Sequence, residues 1–132
     1  MPFVLDASVA ACWAFDDEDH PSARKALDRL QWDEAVVPTL WWFEVRNVLV
    51  VSERRGRIDT LKTHGFLREL SRLPITPDHE TAEAVMMDAA RTHRLSIYDA
   101  AYLELADRLA APLATLDDHL ARAAKAIGTT II

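Results

Sequence analysis

Phe3-Val4-Leu5 is an apolar run too short for a helix, and it stops on Asp6, behind which small residues open a helix-forming segment. Such a run reads as a strand buried on both faces. In an open α/β sheet the polar chemistry gathers just past the carboxyl ends of such strands, and Asp6 would sit there. The same position suits an acid that caps the following helix by accepting a backbone amide hydrogen bond. Whether other acids reach the same rim decides between the two.

The rest of the chain alternates strand and helix. Ser8 to Phe15 reads as a short helix, Asp16-Asp17-Glu18-Asp19 as an acidic loop, and His20-Pro21 as the start of a helix running to Leu30, with proline in the first turn. Ala35-Val36-Val37-Pro38 is the second apolar run. Thr39 is placed to cap the helix behind it, Leu40 to Arg55, stopped by Gly56. Leu40, Trp41, Trp42, Phe43, Val45, Val48, Leu49, Val50 and Val51 cover nearly the whole circumference of that helix, which predicts burial all round and an interface on the side away from the sheet. Glu44 is an acid among these apolar neighbours and needs a partner or a metal; Asn47, three residues on, shares its face.

A helix over residues 59–72 carries Lys62, Arg68 and Arg72 and, with Arg54, Arg55 and Arg57, makes either a solvated basic face or a rim for phosphates. Leu73-Pro74-Ile75-Thr76 is a third strand, residues 78–93 a long amphipathic helix, and Ser96 to Leu109 another helix, whose Ser96 and Asp99 have the spacing of a capping box. Leu113-Ala114-Thr115-Leu116 is a fourth strand ending on Asp117 and Asp118, with Thr115 and Asp118 repeating that spacing. A last helix, residues 118–126, stops at Gly128, and Thr129 to Ile132 form a final strand. The pattern predicts one domain over residues 1–132, a mostly parallel sheet with helices on both faces.

Asp6 and Asp117 each follow a strand, and Glu44 and Asp99 each lie in the first turns of a helix after a strand or crossover. All four belong to one rim of such a sheet. Four carboxylates together repel one another unless divalent cations join them, and an all-oxygen donor set suits Mg²⁺ or Mn²⁺. No Cys or His group has zinc-like spacing. With 15 basic and 21 acidic residues the formal net charge is −6, which excludes a coat protein binding nucleic acid by charge alone. The single cysteine, Cys12, forms no intramolecular disulfide and reads as a buried, inert thiol in a reducing compartment. No segment has the length of a membrane span, and the first residues lack a signal-peptide pattern; a cytoplasmic location is expected.

Val4-Leu5-Asp6-Ala7-Ser8, Glu44-Val45 with Asn47, Ser96-Ile97-Tyr98-Asp99-Ala100-Ala101-Tyr102 and Ala114-Thr115-Leu116-Asp117, in this order and spacing, resemble the PIN domains, especially the VapC toxins of bacterial and archaeal toxin–antitoxin pairs. The resemblance implies a three-layer α/β sandwich with a five-stranded parallel sheet, order 3-2-1-4-5, and a metal-dependent endoribonuclease. It also implies a homodimer and a VapB-like antitoxin whose C-terminal segment fills the active-site groove. By position, Asp6, Glu44, Asp99 and Asp117 match the acidic motif, with Asp6, Asp99 and Asp117 closest to the metal and Ser8, Asn47, Thr115 and Asp118 in support. Carboxylate-bound Mg²⁺ or Mn²⁺ would activate water for in-line attack on RNA, leaving 5′-phosphate and 3′-hydroxyl ends.

Two other phosphate enzymes fit poorly. A haloacid-dehalogenase phosphatase needs a second Asp where Ser8 stands, and a receiver domain needs an Asp directly after the third strand. The rival from another class is a non-catalytic binding or dimerisation module, with the acids as helix caps and the helix around Trp41, Trp42 and Phe43 as its working surface.

Overall fold

The computed structural model describes all residues, 1–132. Its elements are β1 (Phe3–Leu5), α1 (Ala7–Cys12), α2 (Pro21–Arg29), β2 (Ala35–Pro38), α3 (Leu40–Arg54), α4 (Thr60–Leu70), β3 (Ile75–Asp78), α5 (Glu83–His93), α6 (Ile97–Leu109), β4 (Leu113–Ala114) and α7 (Asp118–Ala126). The sheet is parallel in the order β3-β2-β1-β4. Its centre is β1, whose three residues are fully buried because helices cover it above and below and strands flank it on both sides.

Right-handed crossovers explain how the helices are shared out. The chain steps from β1 to β2 to β3 in one direction, placing α1 to α4 over one face. It then crosses back to β4 through α5 and α6, over the other. The packing follows this division, α1 against α2 and α3, and α6 against α5 and α7. Because the direction reverses beside β1, the crevice between the carboxyl ends of β1 and β4 is the switch point of the sheet, where α/β folds bind their ligands.

Several boundaries differ from the sequence expectation. The sheet has four strands, and the segment expected as a fifth, Thr129 to Ile132, lies along β4 with one parallel bridge, Ile131 with Leu113, held by the Leu113 amide on the Thr130 carbonyl (2.9 Å) and the Ile132 amide on the Leu113 carbonyl (3.0 Å). The strand β4 is only two residues long, which leaves little edge on which to extend the sheet. On the far edge β3 begins two residues later than expected and runs through Pro77, a residue that an edge strand accommodates because one side of its backbone has no neighbour to bond. Consequently α5 begins at Glu83, and residues 79–82 lie outside any helix or strand. Thr39 makes no side-chain cap on α3.

The helix α3 is not buried all round. Trp41, Val45, Leu49 and Ser52 form its buried face, while Trp42, Phe43 and Val50 stand exposed. Trp42 and Phe43 pack edge to face at 5.1 Å, and the Arg46 guanidinium lies 3.7 Å from the Trp42 ring centre. The acidic loop is not simply solvated either: Arg57 reaches Asp17 and Glu18, Lys62 reaches Asp16, and Arg24 pairs with Asp19. Arg57 and Lys62 are thereby engaged within the chain rather than displayed as a phosphate rim.

Candidate active site

Asp6 ends β1 and is pinned from several directions. Its amide donates to the Ala114 carbonyl of β4 (2.9 Å), which fixes the backbone at the switch point. Its side chain is 6% exposed, and one oxygen, Oδ2, accepts from both Ser8 Oγ and Thr115 Oγ1, each at 2.7 Å. Although Asp6 occupies the N-cap position of α1, its side chain caps nothing. The two hydroxyls also accept, Ser8 from the Leu116 amide (3.1 Å) and Thr115 from the Asp117 amide (3.0 Å). One carboxylate oxygen thus ties the start of α1 to the loop between β4 and α7.

Asp117 begins α7, and its Oδ1 accepts from the Leu120 amide (2.9 Å). This corrects the capping box expected from Thr115 to Asp118: Asp117 is the cap, and Thr115 serves Asp6. Asp118 is exposed and makes none of the hydrogen bonds that join Asp6, Ser8, Thr115 and Asp117. Asp99 lies in the first turn of α6, where Ser96 Oγ accepts its amide (3.1 Å); its carboxylate is left free of capping duty.

Glu44, half-buried in the first turns of α3, finds its partner across the sheet. Tyr102, in the middle of α6 and fully buried, donates its hydroxyl to Glu44 Oε1 at 2.6 Å, and that hydroxyl also meets the Ala7 amide at 3.4 Å. Tyr102 escaped the residue-by-residue reading. The signal available was a tyrosine inside the apolar stretch Ala100 to Leu103, since a buried tyrosine hydroxyl needs a partner. Asn47, expected to assist Glu44, is exposed and makes no hydrogen bond to it.

The charges converge even where the side chains do not touch. Burial pushes the Asp6 carboxyl above the ordinary range against the opposing bonds from Ser8 and Thr115, and the nearby Asp117 charge pushes the same way. Glu44 is raised by burial, against its bond from Tyr102, and by the charges of Asp6 and Asp99. Asp99 is raised by burial and by Asp117 and Asp6, with His119 acting weakly in the opposite sense. Burial also drives Tyr102 far above the usual phenol range, so it remains a donor to Glu44 at all ordinary pH values. His119 itself is exposed, its Nε2 2.9 Å from the His93 carbonyl oxygen.

Three of the four carboxyls are thus raised by burial and by the charges of neighbouring carboxylates. Four carboxylates from four elements, with no thiol or imidazole bonded to them, fit a hard dication such as Mg²⁺ or Mn²⁺. A cavity of about 630 Å³ lies elsewhere. It is lined by Lys25, Arg29, Pro112 and Thr130 among others, at the amino ends of β1 and β4, away from the acids.

The PIN-domain sequence profile matches residues 3–126. Ribonuclease VapC3 of Pyrobaculum aerophilum is 34% identical over 133 residues, spanning 98% of this chain and 99% of that one. The chain is a PIN-domain protein of the VapC type. Solved structures agree on the fold: PAE2754 from Pyrobaculum aerophilum superposes on this PIN domain with a TM-score of 0.75 at 20% identity, covering 95% of this chain and 86% of its own. FitAcB from Neisseria gonorrhoeae gives 0.67 at 17% identity, covering 100% and 96%. No helix of the PIN domain is long and apolar enough to cross a membrane.

Proposed function

We propose that this VapC-type protein is a metal-dependent endoribonuclease and the toxin of a toxin–antitoxin pair. The reading is supported by the charge that Asp6, Glu44, Asp99 and Asp117 exert on one another about the switch point of the sheet: burial and neighbouring carboxylates raise Asp6, Glu44 and Asp99, which a dication would relieve. Asp6, Asp99 and Asp117 are assigned as the metal ligands, with Glu44 beside them. Mg²⁺ or Mn²⁺ bound there supplies Lewis acidity that makes water acidic and offsets charge on a phosphate. Ser8 and Thr115 hold Asp6 in one orientation, and Tyr102 holds Glu44 by one oxygen. Glu44 Oε2 makes no hydrogen bond and is available to an incoming water. Asn47 and Asp118 are exposed and hydrogen-bond to none of the four acids, so they stay in supporting positions outside the metal ligands.

Single-stranded RNA loops are the expected targets, since their bases can be splayed out and read. Hydrolysis by water leaves 5′-phosphate and 3′-hydroxyl ends. Trp42, Phe43 and Val50, exposed on the same helix as Glu44, support a homodimer or an antitoxin covering that side of α3. Ribonuclease VapC3 is named for the activity proposed here, and a VapB-like antitoxin is the partner this reading implies.

The test is cleavage of total cellular RNA by the purified, antitoxin-free protein with Mg²⁺, Mn²⁺ or chelator, beside folded Asp6→Asn and Glu44→Gln variants. Discrete cuts with 5′-phosphate ends, lost with chelator and in both variants, are expected. Cyclic phosphate ends would overturn the mechanism. Absence of cleavage with every metal would return the fold to a binding or dimerisation module working through α3.

A further inference from the structure

Away from the acid rim, Cys12 at the end of α1 meets two residues of the loop that leads into α2. Cys12 Sγ lies 3.6 Å from Glu18 Oε1, and His20 Nε2 lies 3.8 Å from the same oxygen; the three ligand atoms are all within 4.8 Å of one another. In a tetrahedral zinc site, with Zn–S of about 2.3 Å and Zn–N or Zn–O of about 2.0–2.1 Å, neighbouring ligand atoms stand about 3.3–3.6 Å apart. The two separations from Glu18 Oε1 match these spacings to within a few tenths of an ångström, and the third, Cys12 Sγ to His20 Nε2, is no more than 4.8 Å.

We propose that Cys12, Glu18 and His20 form a second metal site, selective for a thiophilic dication such as Zn²⁺, with solvent in the fourth position.

Three features build this site beyond the mere nearness of the residues. Glu18 is oriented from behind: Arg57 Nη2 donates to Oε2 at 3.1 Å, leaving Oε1 for the metal, the kind of outer contact that fixes a ligating carboxylate. Arg57 is itself held over the Phe15 ring at 4.3 Å. His20 occupies the N-cap position of α2 without capping it, and its imidazole makes no hydrogen bond, so Nε2 is free to ligate. Cys12 is 93% removed from solvent by its 7% exposure, and its thiol faces the Ser8 carbonyl (3.3 Å) as well as Glu18.

Burial and the Glu18 charge push the Cys12 thiol up to about 11. Metal binding would reverse that, with the Sγ–H proton passing to solvent as the metal–sulfur bond forms. Sulfur distinguishes this site from the acid rim, which offers only oxygen to a hard ion. Occupied, it would clamp the 13–20 loop to the end of α1, the helix whose first turn holds Ser8 against Asp6.

The probe is Co²⁺, followed by absorption spectroscopy on the full chain with its thiol reduced. As Cys12 is the only cysteine, a thiolate-to-cobalt charge-transfer band has one possible source. The wild type should develop that band together with the visible absorption of tetrahedral cobalt, and one equivalent of Zn²⁺ should displace it. Asp6→Asn should keep the band, Cys12→Ser should lose it, and His20→Ala and Glu18→Gln should each weaken Co²⁺ binding at least tenfold. His20 and Glu18 are surface residues, so those variants report on ligation even where Cys12→Ser impairs folding. No sulfur band in the wild type overturns the proposal. So does wild-type Co²⁺ affinity in both His20→Ala and Glu18→Gln, which would reduce the site to a lone thiol.

Discussion

Tyr102→Phe removes one oxygen atom from the interior and is the sharpest probe of how the site is held. The lost bond is short (2.6 Å) and charge-assisted, of a class that contributes about 1.5–3 kcal/mol. Glu44 is only half-buried and can recruit water, which places the expected cost at about 2 kcal/mol, in the lower part of that range. The 3.4 Å contact from the Ala7 amide adds little. For a chain of this length that cost lowers Tm by roughly 8 °C. Because Tyr102 favours the ionised carboxylate, the difference from wild type is greatest above the Glu44 pKa and shrinks to about 1 kcal/mol as pH falls through it and a neutral acid accepts the bond instead. Urea denaturation of wild type, Tyr102→Phe, Glu44→Gln and the double variant closes a thermodynamic cycle, with an expected coupling of about 1.5 kcal/mol. Additive effects, or a loss under about 0.5 kcal/mol in Tyr102→Phe, would refute the assignment of Tyr102 as the residue that positions Glu44.

Asp6, Glu44 and Asp99 all have raised pKa values, so the folded chain binds more protons than the unfolded one from the ordinary carboxylate range upward. Stability of the metal-free protein should therefore fall as pH rises through that window, and saturating Mg²⁺ should flatten the slope, as read from urea midpoints. Asp33 and Asp78, held low by the N-terminal amine and by Arg108 respectively, act in the opposite sense at more acidic pH, leaving an optimum between. Thr115→Val strips Asp6 Oδ2 of one donor and the Asp117 amide of its acceptor, at an expected cost of about 2 kcal/mol in calorimetry, while Thr115→Ser recovers most of it. Arg108→Met leaves Glu104, 2% exposed, with the Ala82 amide as its one remaining donor, and should cost about 3 kcal/mol; adding Glu104→Leu should restore much of that in the same denaturation assay.

The acids were legible because each announces itself locally. Asp6 terminates an apolar run, and Asp117 follows another, so their shared rim follows from parallel strands. What ties them together was not legible. Thr115 stands three residues before Asp118, a spacing that suggests a cap, and only the pairing of β4 with β1 turns its hydroxyl to Asp6. Tyr102 reaches Glu44 over 58 positions of sequence, and the Cys12 cluster forms because residues 13–17 fold back, which no ligand spacing encodes. In α3, apolar residues around a full circumference state a need for cover, and within this one chain only the face of Trp41, Val45 and Leu49 receives it, so the other side is not legible from the chain alone. Thr129 to Ile132 do lie along β4 in parallel, as a fifth strand would, but a two-residue neighbour limits the pairing to a single bridge.

The hydrogen bond from Thr115 to Asp6 spans 109 positions of sequence. A nascent chain that has not yet released residues 113–117 holds Asp6 by Ser8 alone and lacks Asp117 altogether. The rim therefore does not build up gradually as the polypeptide lengthens; it assembles in one step, when β4 pairs with β1. A partner that recognises the assembled rim has nothing to bind until residues 113–117 have joined β1.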